Sequence, residues 1–297
     1  MAPSSSTLTS TIAGPSSTAG AAHAGTIHIE PSDHMSFDFG PPAPTFDDKY
    51  EEREYVKQRL ALAYRVIARE GMCEGASGHL TSRDPIDRDR FWVNPYGLHF
   101  SRMTASDLLM VDHHGKIVMG GKPDRQRYNA AAFVIHSAIH AARPDVDSVV
   151  HAHSPYGKAF STLGRNLPFY TQDSALFWND IKLYAAHGGV VLSAKESGEI
   201  VGSLGKKKAL IMQNHGLLTV GGCIESAVAW FMALENECRC VLSAEAAASM
   251  TGSRPIEISP EVAEFSWKET GTEEAGRFEA LPFFDLVEEE CAGAHRR

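Results

Sequence analysis

Two histidines, His151 and His153, stand two apart in the segment Ser148-Val-Val-His-Ala-His-Ser154. The short apolar run before them reads as a strand. A strand's period of two then puts both side chains on one face of a sheet. Two imidazoles held that close repel when protonated and suit a divalent cation when neutral. His215 lies in Gln213-Asn-His-Gly-Leu-Leu218, where a strand passes into a glycine turn. Three neutral imidazoles would leave a coordination position open, as a catalytic metal site needs. On spacing alone, two satisfied buried histidines compete with the metal reading, and His215 is merely compatible with it. Most of the 14 histidines have plainer explanations. His136 and His140, one helical turn apart and without the Glu of a His-Glu-x-x-His motif, read as packing or solvent-facing groups. His99 reads as structural.

These residues need elements to position them. Residues 48–70 carry Leu60, Leu62, Ala63, Val66 and Ile67 at helical spacing, and Gly71 ends the pattern. Residues 77–84 and 90–97 read as a hairpin split at Asp84-Pro85. Thr104 to Asp107 looks like a helix start, and 108–121 reads as strand, turn at His114-Gly115, strand. Residues 128–142 form an apolar helix ended by Arg143-Pro144, and 148–154 a strand. Residues 195–205 form a helix, 209–221 another strand-turn-strand, and 224–250 a long Ala-rich helix. Strands and helices alternate without repeats, so the expected class is α/β, with one domain over 46–250. Ser, Thr, Ala, Gly and Pro dominate residues 1–45, which read as a disordered tail, and 251–297 as a peripheral extension. No dinucleotide-binding or P-loop glycine pattern is present.

Composition narrows the partners. The 297 residues include 28 Lys and Arg against 37 Asp and Glu, a net charge of −9. Nucleic-acid binding needs basic stripes that this balance disfavours. No apolar run approaches the length of a membrane span. The five cysteines, Cys73, Cys223, Cys238, Cys240 and Cys291, show no disulfide or zinc spacing. They read as free thiols in a reducing compartment, hence a cytoplasmic protein.

The segments Ser77-Gly-His-Leu-Thr-Ser-Arg-Asp84, Asn94-Pro-Tyr-Gly-Leu-His-Phe-Ser-Arg-Met-Thr-Ala-Ser-Asp-Leu108, His151-Ala-His-Ser-Pro-Tyr-Gly157 and Gln213 to Leu218 together resemble the class II aldolase/adducin family in order and spacing. The resemblance spans about residues 50–245 and is strongest to adducin-like and fungal members. It implies an αβα sandwich with a central, mainly antiparallel sheet, and a homotetramer with active sites at subunit interfaces. It also implies a divalent metal held by His151, His153 and His215: zinc first, with iron or manganese as alternatives. The metal would stabilise an enediolate left by carbon–carbon cleavage.

Three departures separate the chain from the sugar-phosphate aldolases. Arg125 stands at about the position of their acid/base Glu, and an Arg cannot abstract a proton at neutral pH. Pro123 and Asp124 stand where small hydroxyl residues hold phosphate. Gln172 falls near the Tyr that a neighbouring subunit lends. The resemblance therefore points to a lyase, aldolase- or decarboxylase-like, acting on a small-molecule substrate, a non-phosphorylated hydroxy- or oxo-carboxylate. Arg125 would bind the carboxylate, with Asp124 beside it and His79 as hydrogen-bond donor or acid, although pairing of Arg125 with Asp124 or Asp84 is the plainer reading. Gly78, Gly97 and Gln172 are read as substrate-binding. Phe91, Trp92, Tyr96, Phe169, Tyr170, Phe177 and Trp178 suit an aromatic substrate or a core. The alternatives are a non-haem iron oxygenase of the same fold and a non-catalytic adducin-like protein-binding module.

Overall fold

A computed structural model describes residues 37–186, 188–189 and 194–297. The expected tail therefore lies largely outside the described residues. Within residues 37–45 there is no regular element, but Phe39 packs on Phe278 with ring centroids 6.0 Å apart.

Helix α1 (Lys49–Arg69) starts where the Asp48 carboxylate accepts the Tyr50 N–H. Glu51 and Glu52 in its first turn and Arg69 in its last complement the helix dipole. Strands β1 (His79–Arg83) and β2 (Phe91–Val93) pair antiparallel. Asp84 shapes their connection: it accepts the N–H groups of Ile86 and Asp87, the Trp92 indole and the Arg53 guanidinium. Then follow β3 (Leu109–Val111), β4 (Ile117–Gly120), α2 (Ala130–Ala142), β5 (Ser148–Ala152), α3 (Pro155–Ser161), β6 (Ile181–Tyr184), α4 (Ala194–Leu204), β7 (Ala209–Met212), β8 (Gly216–Gly221), α5 (Ile224–Thr251), α6 (Pro260–Thr270) and α7 (Glu273–Glu290). Thr104 and Asp107 form a capping box, on a single 3-10 turn rather than a full helix.

The eight strands form one sheet in the order β4-β3-β2-β1-β5-β8-β7-β6. Every neighbouring pair is antiparallel except β6 and β7. Alternation along each strand sorts the two faces. Val149, Leu218 and Val220 pack with Ile135 and Ile139 of α2 and Ile200 of α4. Val150 and Leu217 pack into the larger core with α1, α3 and α5. This is the expected αβα sandwich. Residues 251–297, expected at the periphery, supply α7, whose Ala280, Phe284 and Val287 join that larger core. Among the described residues no helix is long and apolar enough to cross a membrane.

Candidate metal centre

The C-terminal end of β5 and the N-terminal end of β8 lie side by side, with His151 opposite Leu218. His215 occupies the turn from β7 to β8, which closes when its N–H reaches the Met212 carbonyl and Asn214 takes a φ of 56°. On the other side of β5, His79 of β1 stands opposite His151. Gly78 approaches this strand end so closely that an added Cβ would lie 3.1 Å from the His151 carbonyl oxygen, and its φ of +89° disfavours any other residue. That is its place here: backbone approach.

The structure brings His151, His153 and His215 together. Ring centroids are 5.2 Å apart for the first pair, 4.8 Å for His151 and His215, and 5.1 Å for His153 and His215. One nitrogen from each ring lies within 4.8 Å of the others. His151 Nδ1 is 2.7 Å from the Leu217 carbonyl oxygen. A carbonyl only accepts, so Nδ1 carries the proton and Nε2 keeps its lone pair, the usual orienting bond of a ligating imidazole. Burial holds His151 well below the ordinary imidazole range, and the rings of His215, His79 and His153 add to this. Burial lowers His153 as well. Depressed basicity at His151 and His153, one fixed tautomer and two half-buried members fit a divalent cation.

A second layer of histidines continues beneath α2. The His79 ring lies 5.1 Å from that of His151 and 4.2 Å from that of His136. Neither ring nitrogen of buried His79 has a hydrogen-bond partner. Such a group calls for a guest oxygen, from water or substrate. His136 Nδ1 is 2.8 Å from the Thr81 hydroxyl, which is 2.9 Å from His140 Nε2. The i,i+4 pair is thus buried and bridged by a hydroxyl from β1.

Other expected site residues lie elsewhere. Arg125 and Lys122 face Asp107, with Nζ of Lys122 2.7 Å from its carboxylate and Arg125 at 3.6 Å. Asp107 precedes β3, three strand positions from β5, or about 14 Å at ordinary strand spacing. Asp124 points to solvent beside Arg125. Arg125 therefore pairs with Asp107 and Asp124, while Asp84 belongs to Arg53. Gly97 forms a turn at φ +83°, and Gln172 is exposed at the start of a 3-10 turn. Phe91, Trp92 and Phe177 are core residues, whereas Tyr96 is half exposed. His99 contacts Cys73 and Ser101.

Two features escape a reading of the sequence. Glu235 of α5 is buried, and its carboxylate accepts the Ser154 hydroxyl and the N–H groups of Tyr156 and Gly157, fixing the chain just past His153. Lys158 and Glu74 pair at 2.5 Å. Nothing local in the sequence marked either.

Solved structures share this architecture. The L-fuculose 1-phosphate aldolase from Glaciozyma antarctica aligns with a TM-score of 0.80 and 46% identity over 86% of this chain and 97% of that one. The family model described as Class II Aldolase and Adducin N-terminal domain matches residues 58–242, and the chain belongs to this family. Decarboxylase NovR of Streptomyces niveus is 40% identical over 230 residues, 77% of this chain and 82% of that protein. The 4-hydroxy-3-prenylphenylpyruvate oxygenase/4-hydroxy-3-prenylbenzoate synthase of Streptomyces roseochromogenus is 40% identical over 230 residues, 77% and 80% of the two chains.

Proposed function

We propose that this protein is a metal-dependent carbon–carbon lyase, aldolase- or decarboxylase-like, acting on a non-phosphorylated hydroxy- or oxo-carboxylate. The observation that carries the reading is the convergence of three imidazoles, one nitrogen from each within 4.8 Å of the others, at adjoining strand ends. His151, His153 and His215 would hold the ion, zinc before iron or manganese. When bound, the ion supplies Lewis-acid stabilisation of negative charge developing on the substrate. His79 sits beside His151 with both ring nitrogens unsatisfied and would hydrogen-bond a substrate oxygen. The relative named a decarboxylase supports the lyase class. Pro123, Asp124 and the engaged Arg125 offer no phosphate cradle, which supports a substrate without phosphate. By family resemblance the working form is a homotetramer, with Gln172 contributed across an interface, and the free cysteines support a cytoplasmic setting.

The test begins with elemental analysis of the purified full chain, where about one divalent ion per chain is expected. His153→Ala should lose it while keeping the wild-type circular-dichroism spectrum. A metal-free wild type would sink the reading. Turnover is then compared between 2-oxo or 2-hydroxy acids and L-fuculose 1-phosphate. Rapid cleavage of the sugar phosphate, the substrate named for the Glaciozyma aldolase, would overturn the non-phosphorylated assignment. A second reading, an iron-dependent oxygenase, is favoured by the Streptomyces roseochromogenus relative. Oxygen uptake with Fe(II) and a 2-oxo acid, without release of aldehyde under nitrogen, would select it.

A further inference from the structure

Lys158 and Glu74 come from two elements that flank the same strand end. Helix α3 starts two residues beyond His153, and its first turn closes with the Lys158 N–H on the Ser154 carbonyl. Glu74 lies in the loop that ends at Gly78, where the backbone presses on His151 and Ala152. The ammonium and carboxylate meet 2.5 Å apart, at 36% and 56% side-chain exposure. Lys158 lies five residues, one helical turn, past His153. Lys158 holds the Glu74 carboxyl below the usual range.

We propose that Lys158 receives the carboxylate of the substrate, and that Glu74 occupies that place until the substrate arrives. The proposal rests on the lyase reading, because only an acid substrate needs such a cation. In aldol-type cleavage of an oxo-acid the carboxylate is retained, on the carbon next to the one where negative charge develops. A cation within one side chain's reach of His153 is where that carboxylate falls. Arg125, the cation expected from the sequence, sits with Asp107 beside β3, about 14 Å from β5 at ordinary strand spacing. Lys158 already binds a carboxylate here, so the interaction needs no new geometry. An exposed ion pair adds little to stability, which makes exchange of one carboxylate for another cheap. The flexible lysine stem lets the ammonium follow its partner. Glu74 is then a competitor, and its removal has the opposite effect to removal of Lys158.

Calorimetric titration of the full-length protein with phenylpyruvate, and with its neutral methyl ester as control, tests this. Lys158→Gln should weaken phenylpyruvate binding by about 10- to 100-fold, the loss of one charge-assisted hydrogen bond, and leave the ester unchanged. Glu74→Gln should tighten phenylpyruvate by about 3- to 10-fold, the screened repulsion of one nearby charge. A merely structural ion pair would move both variants the same way. Equal affinities in wild type and Lys158→Gln, or no binding to the wild type, overturn the assignment. Metal content is measured on the same samples. Its absence would count against the lyase reading alone, since the carboxylate comparison stands without it.

Discussion

Glu235 shows how much one buried side chain can determine. Three donors, the Ser154 hydroxyl and the N–H groups of Tyr156 and Gly157, converge on its carboxylate at 2.5 to 2.8 Å. Its removal leaves three polar groups facing an apolar interior, each costing about 1–3 kcal/mol when unsatisfied. Glu235→Ala should therefore destabilise the fold by about 3 kcal/mol, water entering the space offsetting part of the full sum. The chain just past His153 would also lose its anchor, and metal affinity should fall by about 10- to 100-fold, as for other groups that orient ligands. Glu235→Gln keeps the shape but loses the charge, and should fall between the two in both chelator competition and urea midpoint. Wild-type metal affinity in Glu235→Ala would show that the strand end holds itself. The metal trio was legible because His151, His153 and His215 lie in short motifs of family spacing. Glu235 was not, because it acts on a segment about 80 residues away, and its neighbours on α5 look like any apolar helix.

At the scale of elements, the layer between β1 and α2 carries a polar column through an otherwise apolar packing. The sequence of α2 shows a helix plainly, in the apolar run Ala130–Ala142. It does not show that His136 and His140 turn inward, because Thr81, which joins them, belongs to a strand 55 residues earlier. Helix α3 was missed for a different reason: seven residues beginning with Pro155 are too few to display a helical period. The column has a consequence in acid. Burial holds His136 well below the ordinary range and pushes His140 down to about 3. Above the unfolded value of about 6.5 both states are neutral and these groups contribute nothing. Below it the unfolded chain takes up protons that the folded chain refuses. Stability therefore falls as pH drops from about 6.5 toward the folded values, by up to about 1.4 kcal/mol per pH unit for each group. Urea midpoints at pH 7 and pH 5 should differ clearly in the wild type and differ less in His140→Asn. An equal pH dependence in the two proteins would mean that His140 protonates freely in the folded state.

The whole molecule is larger than the recognised motifs suggest. Resemblance covered about residues 50–245, and the family model matches 58–242. The remaining C-terminal residues lack family motifs, and that made them look dispensable. In the structure they complete the second helical layer. Phe284 of α7 is fully buried, with the Arg59 guanidinium of α1 4.5 Å from its ring centre. Gly276 leaves room for Trp230, whose ring would meet an added Cβ at 2.4 Å. Lys208 donates from the start of β7 to the Gly271 carbonyl at 2.8 Å, tying the turn before α7 to the sheet. Arg59 also pairs with Glu225 at the start of α5, so α1, α5 and α7 share one packing unit. This layer lies across the sheet from His151, which faces the α2 side with Val149. Phe284 thus packs on the face away from His151. Phe284→Ala should cost about 3–5 kcal/mol through lost burial and the cavity left behind. In the folded fraction, metal stoichiometry should match the wild type. A denaturant midpoint unchanged by Phe284→Ala would return the C-terminal segment to the periphery. A folded variant depleted of metal would instead couple the two faces through β5 and β8, the strands they share.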